Sequence, residues 1–174
     1  MNLASMSRSA FTAAVVLGLA TAATQAAAQA EKKSLRAQLI GTWTVVSVDT
    51  VAAGGARTPT YGPNPRGTVM FDARGNYALI LAKVGMPKFA SDNRTQGSAE
   101  ENRAVVQGTL AHFGTYKVDE RQRTLNFHIV GSTFPNWEGN DQLRPLSITG
   151  NVAKWTTPEA SGGGVAELVI RRQR

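Results

Sequence analysis

The chain has no cysteine among its 174 residues. That excludes disulfides, thiolate metal sites and a cysteine nucleophile. Histidine is almost as scarce. His112 and His128 are the only two, and neither H-x-x-x-H nor H-E-x-x-H occurs. No metal shell can be assembled from the usual ligand spacings. The phosphate-cradling patterns G-x-G-x-x-G and G-x-x-x-x-G-K-[ST] are missing, and so is the nucleophile elbow G-x-S-x-G. Clustered cations occur only near the ends, as Lys32-Lys33 and as Arg171, Arg172 and Arg174. No basic run is interleaved with aromatics, as nucleic-acid grooves require. No nucleic-acid partner, metal or cofactor is expected. Beyond residue 30 no apolar run approaches membrane-spanning length, so stable membrane insertion is not expected either.

The one extended apolar run lies at the N-terminus. Arg8 precedes a stretch from about Ala10 to Ala23, and small residues follow up to Ala28-Gln29-Ala30. This is the layout of a secretory signal peptide, residues 1–30, cleaved near Ala28 or Ala30. It predicts a periplasmic or secreted protein with a lead-in at 31–37 and a domain over 38–172. Cleavage after Ala30 removes one of 19 basic residues and none of the 12 acidic ones, so the net charge falls from +7 to +6.

The 17 glycines and seven prolines lean towards many turns and an all-β domain. The mature segment reads as short strands separated by turn chemistry. LIGTWTVVSVDT (39–50) is the first, followed by a long loop (51–65) whose Pro59, Pro63 and Pro65 keep it out of any central strand. GTVMFD (67–72) and NYALILAKV (76–84) form a hairpin. Ser98-Ala99-Glu100-Glu101 is a capping box, which starts a helix from about Ala99 to Leu110. HFGTYKVD (112–119) and TLNFHIVG (124–131) form a second hairpin. QLRPLSITG (142–150), VAKWTTP (152–158) and VAELVIRR (165–172) complete eight strands. The economical architecture is an eight-stranded up-and-down antiparallel barrel with one short helix after the third strand. A β-sandwich is the alternative.

Gly41-Thr42-Trp43 on the first strand resembles the lipocalin signature. The segments LIGTWTVVS, TPTYGPNPRGTVMFD, KFASDN, HFGTYKVD, TFPNWEGND and SGGGVAELV together resemble the bacterial and fungal lipocalin-like domain family, over about residues 38–171. The resemblance implies a calycin-type barrel in which Trp43 plugs the closed end. It also implies that an arginine of the last strand, Arg171 or Arg172, packs over that ring. The signature set is thus Gly41, Trp43 and Arg171. No settled activity follows from the resemblance.

Two loops carry aromatic residues among turn formers: Tyr61 in the 51–65 loop, and Phe134 and Trp137 beside Glu138 in TFPNWEGND. Each is either a rim of a ligand cavity or a packed corner. If Val118 opposes Leu125, then Tyr116 meets Phe127 and Gly114 meets Ile129. His112 then shares the lumen face with Tyr116, and His128 points outward. Arg144, at a strand start, can bind a carboxylate or enolate if buried, or can be a surface residue. The candidate ligand residues are Tyr61, His112, Tyr116, Phe127, Trp137, Glu138 and Arg144. The expected function is binding of a small, mostly apolar molecule in the lumen. The alternatives are a cofactor-free cyclase or isomerase, with His112 or Glu138 moving a proton, and a structural domain with a filled barrel.

Overall fold

Strands that alternate apolar and polar residues must hide one face, and closing the sheet on itself hides that face without leaving an edge. The protein takes this solution in a computed structural model that describes residues 33–173. The expected signal peptide lies outside the described residues. The chain runs α1 (Leu35–Leu39), β1 (Gly41–Val51), β2 (Arg57–Pro59), β3 (Arg66–Phe71) and β4 (Asn76–Ala82). After α2 (Ala99–Gly108) come β5 (Thr109–Asp119) and β6 (Thr124–Ser132). A 3-10 turn (Pro135–Trp137) then leads to β7 (Asp141–Thr149), β8 (Val152–Thr157) and β9 (Val165–Arg172).

Sequential strands pair antiparallel, and β9 returns to pair with β1 from Trp43↔Arg172 to Val51↔Val165. Eight strands form the closed barrel. β2 is an added edge segment that pairs only with the end of β1. Its presence corrects the position of the helix: α2 follows the fourth strand, not the third. The three polar-leaning residues of β2 are too few to show a period, which is why the 51–65 segment reads as loop. The capping box forms as its residues dictate, with Ser98 Oγ accepting from Glu101 N–H and Glu101 accepting from Ser98 N–H. Yet α2 buries only Gly108, so it flanks the barrel and does not fill it.

Period-two alternation sets the core. Tyr77, Leu79 and Leu81 point inward from β4, and Leu125, Phe127 and Ile129 from β6. Ala153 and Trp155 do so from β8, and Ala166, Leu168 and Ile170 from β9. One end is closed. There Trp43 is fully buried and donates its indole N–H to Leu39 O at 2.7 Å, while Leu35 and Leu39 of α1 cover the opening. The Glu120 carboxylate, in the β5–β6 turn, accepts from the N–H groups of Leu35 and Arg36 at 2.7 and 2.9 Å. That carboxylate holds the free donors of the first helical turn to the barrel.

The arginine over Trp43 is Arg172, not Arg171. Ala166, Leu168 and Ile170 face in, so the same phase turns Arg172 inward and Arg171 out. The Arg172 guanidinium lies 4.2 Å from the Trp43 ring centroid and donates to the carbonyls of Ile40 and Gln38. Gly41 adopts φ +127°, and a Cβ there would lie 2.8 Å from Arg172 Nη1. The Gly-x-Trp pattern is therefore a clearance for this arginine as well as a backbone requirement. Arg172→Ala is expected to cost about 2–3 kcal/mol, from two charged hydrogen bonds and the ring contact. Arg171→Ala should stay within about 0.5 kcal/mol of the parent. Urea unfolding of the two variants checks the contrast.

Candidate functional site

The far end of the barrel is where β1 finishes and β5 begins. There the lumen opens into a cavity of about 60 Å³. Val48, Leu79, Leu81, Leu110, Ala166 and Leu168 form its apolar wall, and His112, Arg144, Thr50, Thr60 and Thr157 add polar groups. Tyr61, from the long β2–β3 loop, and Trp137, from the 3-10 turn, lie over it, each under 10% exposed. The Ala160–Gly163 stretch of the β8–β9 loop also borders it. Outside lies a larger groove of about 610 Å³. Trp137, Arg144, Thr157, Ala160 and Ser161 line both spaces and form the partition between them.

Below the cavity the lumen is filled with rings. Phe127 sits among Phe71, Tyr77, His112 and Trp155, with centroid separations from 4.4 to 6.1 Å. These stacked, tilted and edge-on contacts pack the lumen beneath the cavity.

His112 and Arg144 bring polarity into this apolar setting. His112 is 2% exposed, and its Nδ1 lies 2.9 Å from Tyr77 Oη. Burial, and then the neighbouring Arg144 cation, push the imidazole down to about 3, so it is neutral at physiological pH. Burial likewise raises the Tyr77 hydroxyl well above its ordinary value, so the phenol keeps its proton. Arg144 is 4% exposed. Nη1 donates to Thr157 Oγ1 at 2.6 Å and Nη2 donates to Gln142 Oε1. Its guanidinium lies 5.1 Å from the Phe127 ring centroid and 5.7 Å from that of Trp137. Burial pushes Arg144 down to about 10, which still leaves it a cation.

The titration of His112 makes a pH prediction. The unfolded imidazole takes a proton near 6.5, whereas the folded one resists until about 3. Between those values the unfolded state binds more protons, so stability rises with pH and is fully present only above about 6.5. Acidification to pH 5 should remove about 2 kcal/mol through this group alone. Urea midpoints of the wild type and of His112→Gln, measured from pH 7 to pH 5, should converge as the pH falls.

Of the residues expected in the cavity, Tyr61, His112, Trp137 and Arg144 converge at the open end. Phe127 lies beneath them as the floor that supports His112 and Arg144. Tyr116 does not belong. It shares the inward face of β5 but lies at the closed end, where its hydroxyl donates to Asp72 O at 2.8 Å and its ring meets Phe71. Glu138 also falls outside, because it is exposed and accepts from Ser132 N–H at 3.2 Å at the end of β6. His128 points outward as the alternation requires and lies 3.5 Å from Asp141. Tyr77, Gln142 and Thr157 were not anticipated. The inward phase of Tyr77, Leu79 and Leu81 was the available signal for the first.

The sequence profile of the lipocalin-like domain family matches residues 40–170. The chain belongs to the lipocalin-like domain family. Both features the resemblance implied, the buried Trp43 and the last-strand arginine over it, stand in this lipocalin-like barrel. No curated protein sequence matches the chain. Among solved structures, the barrel is similar to an uncharacterized protein from Bacteroides eggerthii. The two are 10% identical with a TM-score of 0.41, over 78% of this chain and 99% of that one. It is also similar to a variant of the fluorescent protein UnaG at 16% identity and a TM-score of 0.34, over 78% and 96% of the two chains. Among the described residues, no helix of this lipocalin-like protein is long and apolar enough to cross a membrane.

Proposed function

We propose that the protein is exported and binds a small, mostly apolar molecule at the open end of its barrel. The observation that carries this reading is the mostly apolar cavity under Tyr61 and Trp137, into which His112 and Arg144 bring a few polar groups. Ligand sites have this composition: an apolar wall supplies most of the affinity and a few polar groups fix the orientation. Volume decides how much of the molecule the cavity takes. At about 60 Å³ it is far below the ~150 Å³ that holds a benzene ring. The adjoining groove, about 610 Å³, lies within the range of ~300–1,000 Å³ common for ligand pockets. The reading therefore seats the inserted apolar part in the lumen and the remainder along Trp137 in the groove.

Proton transfer by His112 is the weaker reading. A base near 3 lies about four units below neutrality, whereas efficient catalytic bases sit near the working pH. Glu138, the other proposed proton carrier, is exposed, bonds Ser132 N–H and lines neither the cavity nor the groove. Export rests on the leader-like residues 1–30, and N-terminal sequencing of the protein from its host checks the cut near Ala28 or Ala30.

Native mass spectrometry of the protein purified from its host tests the binding reading. A reproducible adduct that vanishes under mild collisional activation is expected. A bare mass in every preparation, together with no uptake of added apolar molecules, would refute it. Trp137→Ala should weaken uptake at least about tenfold, because a rim aromatic in a binding site commonly contributes more than 1 kcal/mol. An unchanged dissociation constant with a large loss of melting temperature would make Trp137 a structural anchor only.

A further inference from the structure

Among the described residues, the buried side-chain polar atoms that lack a hydrogen-bond partner are Thr124 Oγ1, Arg144 Nε and Trp155 Nε1. Only the second belongs to a charged group. A guanidinium has five N–H donors, and the bonds of Arg144 are one from Nη1 to Thr157 Oγ1 and one from Nη2 to Gln142 Oε1, both neutral acceptors. The other elements packed against it contribute Phe127, Trp137, Tyr77 and His112, which are aromatic or uncharged. Among the described residues, no carboxylate forms an ion pair with Arg144. Asp141 lines the groove but turns to Asn126 and His128, and Glu159 is exposed with no link to Arg144.

A buried cation without a counter-charge is costly, and proteins otherwise keep such groups paired. Arg144 lies on the partition between the lumen cavity and the outer groove, so an anion reaching it from the groove can leave an apolar chain in either space.

We infer that the ligand is an apolar monoanion whose carboxylate, or an equivalent pair of oxygens, is received by Arg144 at the mouth of the barrel. The inference rests on the binding reading above and narrows it to a chemical class. The planar fork of a guanidinium matches two oxygens at once, and the free Nε–H supplies one donor of that fork. Gln142, half-buried at the groove, is the acceptor an incoming carboxylate displaces, since its amide can turn to water. Thr157 stays as the support that fixes the guanidinium plane. The neutral His112 and protonated Tyr77 add no negative charge to repel the anion.

Calorimetric titration with octanoate, octan-1-ol and octylammonium at neutral pH tests the inference on the wild-type protein. Octanoate should bind at least about tenfold more tightly than octan-1-ol, because hydrogen bonds to an ionised partner exceed neutral ones by that order. Octylammonium should bind more weakly than either. Arg144→Met should bring octanoate down to the affinity of octan-1-ol, and Arg144→Lys should keep part of the preference. If one variant does not fold, the other and the wild-type comparison still decide. Equal affinities for octanoate and octan-1-ol in the wild type would overturn the anion class while leaving the binding reading in place. An undiminished octanoate preference in Arg144→Met would overturn the assignment to this residue. Binding of none of the three would bring down both readings.

Discussion

Arg144→Met is expected to leave the fold nearly as stable as the parent while removing most of its affinity for octanoate. Deleting a buried charged side chain usually destabilises strongly, because a partner is left behind unpaired. Here the partner left behind is not a charge. The downward displacement of Arg144 to about 10 corresponds to a burial penalty on the order of 3 kcal/mol, which methionine does not carry. Against this stand the contacts with Phe127 and Trp137 and the bond to Thr157 Oγ1, whose loss costs a similar few kcal/mol. Gln142 reaches solvent and loses little. The opposing effects nearly cancel, so a stability change within about 1 kcal/mol is predicted, checked by chemical unfolding. The affinity has no such compensation, and a loss of at least about tenfold is expected by calorimetry. A residue that adds little to the fold but much to binding has the profile of a functional group placed at a local cost.

Gly114→Ala is expected to be the most damaging single methyl group in the barrel. Gly114 lies between His112 and Tyr116 on β5, and the β5–β6 register shifts between Phe113 and Gly114. This bulge draws β6 across the glycine. A Cβ at 114 would lie 2.0 Å from His128 O and 2.9 Å from Val130 N, both backbone atoms that cannot rotate aside. The two strands would have to part, breaking ladder bonds in a closed sheet. The expected cost is about 3 kcal/mol or more, beyond ordinary overpacking. Because the bulge also sets where His112 meets Ser132, the open end should be disturbed along with the fold. A melting temperature within a few degrees of the parent would show that the bulge yields more easily than its geometry implies.

The pairing of β5 with β6 was legible because alternation and a short turn leave few registers. Val118↔Leu125, Tyr116↔Phe127 and Gly114↔Ile129 all stand as the residues dictate, with His112 inward and His128 outward. What alternation does not encode is height. Tyr116 has the phase of His112 but sits four residues along the strand, about 13 Å at the usual rise, which carries it to the closed end. Phase alone selects Arg172 over Arg171, and extending the alternation of Ala166, Leu168 and Ile170 by one step makes that choice. The bulge escaped because the surplus residue appears only when two strands are laid side by side, although glycines at 114 and 131 mark the close approach. The size of the cavity escaped for another reason. It is the volume left after Phe71, Phe127 and Trp155 interlock, a property of packing and not of pattern.

In the proposed function, small molecules enter this barrel at the open end, under Tyr61 and Trp137. Backbone amide chemical-shift mapping during an octanoate titration measures that most directly. Shifts should concentrate at Tyr61, Leu110, His112, Trp137, Arg144 and the Ala160–Gly163 stretch. Amides around Trp43, Tyr116 and Glu120 at the closed end should remain unmoved. Shifts centred on the closed end or on the barrel exterior, or none at millimolar octanoate, would contradict it.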